Sequence, residues 1–167
     1  GNTIVFTSQF SIWRITPDGT QPLQVTDPPG RGEWGNANLP KGDYDPRLSP
    51  DGQKIVFERL EDVNQPNGGY NLFVVNIDGT GETRLTNNCF SQGLANWSHL
   101  GDKLVYVVAA ENGVGKYDLY MMNSDGSANR DITPNYFPTD FLCHSPVFSQ
   151  EDSRISFIGQ WWEYELS

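Results

Sequence analysis

The sequence predicts an all-β fold assembled from repeated blades of four antiparallel strands. Two internal repeats and a turn-rich composition predict it. The first repeat aligns without a gap: "SIWRITPDGTQPLQVT" (Ser11 to Thr26), "NLFVVNIDGTGETRLT" (Asn71 to Thr86) and "DLYMMNSDGSANRDIT" (Asp118 to Thr133). Each copy has an apolar-aromatic lead, an Asp-Gly pair and a closing aliphatic-Thr pair. The second repeat is "PRLSPDGQKIVFE" (Pro46 to Glu58), "ANWSHLGDKLVYV" (Ala95 to Val107) and "PVFSQEDSRISFI" (Pro146 to Ile158). The 167 residues include 17 Gly and 11 Pro, with 13% aromatics and only 19% charged residues. That composition suits short strands and tight turns, not a coiled coil or a disordered chain.

Taken in order, each unit begins with a short strand ending in an apolar-Ser pair: Leu48-Ser49, Trp97-Ser98 or Phe148-Ser149. A polar turn ("PDG", "HLG" or "QED") leads to a second, alternating strand carrying Ile55-Val56-Phe57, Leu104-Val105-Tyr106 or Ile155-Ser156-Phe157. A variable loop follows, then the third strand. The Asp-Gly turn, where Gly tolerates positive φ, closes a hairpin onto the fourth strand. The opening "GNTIVFT" matches a second strand alone, Gly1 falling where Gly52 falls and Phe6 where Phe57 falls. Equivalent serines recur every ~50 residues, the repeat length of propeller blades.

These segments resemble the WD40-like (PD40) repeats of the TolB propeller family, whose pattern is "PxφSPDGxxIxF … xLYxxxxDGxxxxxLT". "SPDGQKIVFE" and "NLFVVNIDGTGETRLT" match closely, while "SHLGDKLVYV" and "SQEDSRISFI" are decayed copies. The resemblance covers nearly the whole chain and implies a single half-propeller domain over residues 1–167. Its blades fall at about 1–26 (partial), 44–87, 95–133 and 146–167 (partial). It implies a periplasmic or extracellular location. It does not imply one activity, because the family's propellers serve in TolB, beside peptidase domains and elsewhere.

Closed propellers of this family have six or more blades, and this chain holds about three. Its first blade lacks an innermost strand and its last segment offers a spare one. Two chains exchanging terminal strands would close a six-bladed ring with two-fold symmetry, so a homodimer is expected. The alternative is a piece of a longer propeller, since the chain begins with Gly rather than Met. The tail "WWEYELS" is expected to be buried, because Trp161 and Trp162 side by side are poor surface residues.

The net charge is −10. Phosphate binding needs a basic surface, so nucleic acid is not an expected partner, and neither is an anionic membrane. No apolar stretch is long enough for a membrane-spanning helix. Cys89 and Cys143 lie between repeats. Unpaired buried thiols are the favoured reading, one disulfide the alternative.

Function is expected in the long segments joining strands rather than in the tight turns. The longest, "DPPGRGEWGNANLPKGD", carries Trp34, which either contacts a partner or packs back onto its own blade. The segments entering the innermost strands should line the channel mouth. There Asp45, Leu94 and Ser145 are equivalent, as are Tyr44 and His144. Asp43, Tyr44, Asp45 and His144 are the candidates for a cation or polar ligand, or for structural hydrogen bonds between blades. Catalytic patterns are absent: no Gly-x-Ser-x-Gly, no His-Glu-x-x-His, no phosphate loop. His99 falls in a turn on the opposite face. The sequon "NWS" (Asn96 to Ser98) enters an innermost strand and is read as incidental. The expected function is a non-catalytic binding or scaffolding module for a protein, peptide or glycan, without a metal or cofactor. The alternatives are a propeller-type lyase or hydrolase using His144 and channel carboxylates, or an accessory propeller of a larger enzyme.

Overall fold

The computed structural model describes residues 2–34, 38–61, 69–87, 91–109, 117–138 and 141–160. These form thirteen strands and no helix. The first blade holds β1 (Ile4–Ser8), β2 (Ser11–Ile15) and β3 (Leu23–Gln24). The second is complete, with β4 (Gly42–Leu48), β5 (Lys54–Leu60), β6 (Tyr70–Asn76) and β7 (Thr83–Arg84) in that spatial order. The third repeats it with β8 (Gln92–Trp97), β9 (Lys103–Ala109), β10 (Tyr117–Asn123) and β11 (Arg130–Asp131). A further antiparallel pair follows, β12 (Leu142–Phe148) and β13 (Ile155–Gln160). Its strand β12 pairs with β10 at one parallel position, Tyr117 opposite Leu142.

The repeated motifs are sets of local hydrogen bonds. The Ser49 hydroxyl donates to the Asp51 carboxylate (2.6 Å) and accepts from Lys54 N (2.9 Å). Ser98 does the same with Asp102 and Lys103 N, both at 2.9 Å. In the outer hairpins Asp18, Asp78 and Asp125 each accept the backbone N–H two residues on. Gly79 and Gly126, both at φ 87°, make the left-handed step. The closing Thr has a definite task. Thr26, Thr86 and Thr133 Oγ1 accept Ile12 N, Leu72 N and Leu119 N, each at 2.9 Å. The hydroxyl replaces a ladder carbonyl where the two-residue outer strand ends.

The core lies between blades, not within them. Ile12, Val25, Ile55, Phe57, Phe73 and Val75 fill the space between the first and second blades. Val56, Leu72, Ala95, Leu104, Tyr106, Val108 and Met122 fill that between the second and third. Odd and even residues of β5 thus go to opposite layers, and both faces are covered. For this reason the run Ile55-Val56-Phe57 is buried continuously rather than on alternate residues. Burying a side chain such as Phe57 fully is worth about 1.5–3 kcal/mol. Polar contacts add specificity across the layers: Trp97 Nε1 donates to Arg47 O (3.0 Å) and Asn96 Nδ2 to Pro146 O (2.9 Å). The sequon asparagine is therefore an inter-blade strut.

The innermost strands differ from expectation. They are six or seven residues long, so the channel-mouth segments belong to the strands themselves. Each contains a β-bulge at the same place, and the bulged residues Asp45, Leu94 and Ser145 have φ of 46°, 55° and 49°. Pro46 and Pro146 sit within two of these bulges, and Pro46 is on β4, which ends its sheet, so its missing N–H removes no ladder bond on the open side. Cys143 is a buried free thiol, and burial pushes its pKa up to about 11. Cys89, Trp161 and Trp162 lie outside the described residues.

Candidate functional site

A cavity of about 400 Å3 opens where three successive blades converge. β5 and β6 contribute Glu58 and Tyr70, β8 to β10 contribute Gln92, Leu94, Val107 and Tyr117, and β12 contributes His144. The lining is mostly apolar, with few convergent polar groups, as ligand pockets usually are. The His144 ring meets the Tyr117 ring edge-on at 5.1 Å.

Among the described residues, Glu58 is the one carboxylate lining this cavity. Its Oε1 accepts Leu94 N at 2.5 Å, which ties the second blade to the bulge of the third. Desolvation pushes its pKa up to about 7, and the neighbouring Asp45 charge adds to this against the Leu94 hydrogen bond and the Arg47 charge. Asp45 itself pairs with Arg47 (2.7 Å), while its Oδ2 is buried with no hydrogen-bond partner among the described residues.

The sequence-predicted residues separate in space. His144 lines the cavity and Asp45 acts on Glu58 through its charge. Asp43 is fully buried and engaged: Arg59 donates to it from Nε (2.6 Å) and Nη2 (2.9 Å). The same guanidinium donates to Glu82 at 2.6 and 2.8 Å and lies 4.5 Å from the Phe73 ring centroid. Burial raises the Asp43 pKa while Arg59 pulls it down. Tyr44 donates its hydroxyl to Pro40 O (2.6 Å), and burial raises its pKa. Trp34 is 72% exposed, so it does not pack back onto its blade. Among the described residues no three of His, Cys, Asp and Glu gather as metal ligands. His99 is on an exposed turn beside the Asp152 carboxylate, away from the cavity.

Sequence reasoning missed Glu58, Tyr70, Gln92 and Tyr117. For Glu58 a signal existed. Its register position is held by Thr7, Val107 and Ile158 in the other repeats, so a carboxylate there is the exception.

No family model matches the sequence. A curated relative, the N-terminal subunit of a Tricorn-like protease from Sulfurisphaera tokodaii, is 32% identical over 84 residues, covering 50% of this chain and 35% of that protein. Among solved structures, TolB from Acinetobacter baumannii superposes with a TM-score of 0.63 at 17% identity, over 93% of this chain and 34% of that one. A TolB from Agrobacterium tumefaciens gives 0.60 at 21% identity, over 78% and 45%. Oligogalacturonate lyase from Vibrio parahaemolyticus gives 0.67 at 12% identity, over 95% and 44%. The chain thus spans less than half the length of each of these. What it shares with them is the fold, an all-β propeller of the TolB kind.

Proposed function

We propose that the chain is a non-catalytic binding or scaffolding module that takes a protein, peptide or glycan segment at its channel mouth. The observation that carries this reading is the largely apolar cavity shared by three blades, with Tyr70, Tyr117 and His144 at its wall. The exposed Trp34 offers a second contact on the surface. A displayed peptide library panned on the chain should enrich sequences whose NMR footprint falls on Gln92, Leu94, Tyr117 and His144. Footprints confined to the Asp-Gly turns would overturn the reading.

A lyase or hydrolase is the second reading, favoured by one observation: Glu58, with its pKa near neutrality, shares the cavity with His144. Turnover of an oligogalacturonate or peptide panel that disappears in E58Q would establish it over the binding module. For location, the TolB-like fold supports the periplasm or the extracellular space. The apolar residues left open on the last pair of strands, Val147 and Ile158 (62% exposed), support a cover by a second copy through terminal-strand exchange. Light scattering should then give a dimer mass that does not change with dilution, and a monomer would remove the dimer.

A further inference from the structure

We propose that Glu58 is the anchor of a subsite for an alkylammonium group, the side chain of a lysine presented by a protein partner. The inference rests on the binding reading above and deepens it.

The cavity combines an inward carboxylate with an apolar wall and the rings of Tyr70, Tyr117 and His144. A lysine side chain has the matching construction, a compact charge on a four-carbon apolar stem. The stem gains by burial against Val107, Leu94 and Ala109, and the ammonium gains from the carboxylate and from aromatic rings. The local charge count is also short of one cation. Glu58 and Asp45 are two carboxylates, and Arg47, paired to Asp45, is the cation acting on them. Glu58 makes no ion pair among the described residues, and Asp45 Oδ2 is buried without a hydrogen bond. The groups facing Glu58 are Asp45 and Arg47 from β4, Tyr70 from β6, and Tyr117 and His144 across the cavity. The chain's net charge of −10 draws a basic segment toward it.

The elevated Glu58 pKa gives the subsite a pH signature. A bound ammonium favours the ionised carboxyl, so binding expels a proton below pH 7 and affinity rises with pH until Glu58 is ionised. From pH 6 to pH 8 the ionised fraction grows about tenfold.

The test titrates Nα-acetyl-lysine amide, and the uncharged Nα-acetyl-norleucine amide, into the 15N-labelled chain and its E58Q and E58D variants. The side-chain amide oxygen introduced by E58Q still accepts the Leu94 N–H. That variant should therefore keep the fold, and its amide spectrum checks this directly. The lysine compound should shift Leu94 and Tyr117, bind about tenfold tighter at pH 8 than at pH 6, and lose at least tenfold in E58Q. E58D should retain binding within a few-fold, and the norleucine compound should bind at least tenfold more weakly. Equal binding by E58Q, by norleucine or at both pH values overturns the proposal, as does no shift with the lysine compound at pH 8. Library peptides that occupy the cavity without a lysine, and bind E58Q equally, remove this proposal while leaving the binding module standing.

Discussion

The second and third blades place different chemistry on the same backbone. In the second, Asp43 and Arg59 form a buried ion pair against the stacked rings of Phe57 and Phe73, and the exposed Glu82 takes the other side of the same guanidinium. At the corresponding positions the third blade has Gln92, Val108 and Asn129, and the rings are Tyr106 and Tyr120. There a neutral hydrogen bond, Tyr106 Oη to Asn129 Oδ1 at 2.8 Å, stands in for the ions. The blade therefore does not need the charges to form. They are one local alternative to a neutral hydrogen bond, and a costly one to disturb.

Breaking one ion should separate the blades most clearly. Asp43→Ala leaves Arg59 buried with half its partners, and urea titration should show a loss of about 3–5 kcal/mol. Truncating the equivalent Gln92 should cost about 1–3 kcal/mol. Equal losses would mean that the cluster is no more committed than its neutral counterpart.

The next contrast is Glu58 against Val107. The folded Glu58 carboxyl sits at about 7, above the 4.5 of the free group. Between those values the folded chain keeps a proton that the unfolded chain has released. Stability contributed by the group is therefore greatest below pH 4.5, falls as pH rises to 7, and is level beyond. E58Q should remove this slope and raise stability at pH 8 by on the order of 1–3 kcal/mol. Thermal unfolding between pH 4.5 and 8 reads both, and an unchanged slope would assign the pH response to another group.

Smaller again is the closing hydroxyl. Thr86 is buried while Thr133 is half-buried, though each accepts one backbone N–H at 2.9 Å. Thr86→Val should cost about 1–2 kcal/mol and Thr133→Val less, since water can replace the acceptor there. Hydrogen exchange at Leu72 and Leu119 reports the two losses separately. The smallest effect belongs to the combined exchange D43Q, R59V and E82N with F57Y, which gives the second blade the third blade's Tyr–Asn hydrogen bond and its neutral neighbours. Its stability should lie within ~1 kcal/mol of the original, or above it.

The fold was legible because its signals are local. The apolar-Ser turn, the Asp-Gly turn and most strand boundaries depend on hydrogen bonds spanning two to five residues, all visible in a short window. The aliphatic-Thr pair was visible as a repeat, but its task was not, because the hydroxyl reaches fourteen residues back. Apart from His144, the site was illegible for a related reason. Glu58, Tyr70, Leu94, Tyr117 and His144 come from five strands of three blades, and only the arc brings them together. Asp43 and Asp45 were grouped as one channel-mouth segment, but a bulge separates them, and Asp43 is held by Arg59 while Asp45 pairs with Arg47. For Trp34 the sequence left contact and packing back open, because exposure in a Gly- and Pro-rich segment depends on the fold, which leaves it 72% exposed.

The three bulges have a consequence for strand identity. β4 and β8 each end a sheet, with one side open to pairing by a stray strand. Their one-residue notch works as a mechanical key. A regular strand laid along it falls out of step at Asp45 or Leu94, and beyond that point presents its apolar side chains to water. The bulges thus make the open inner edges poor templates for the flat strands from which aggregates grow.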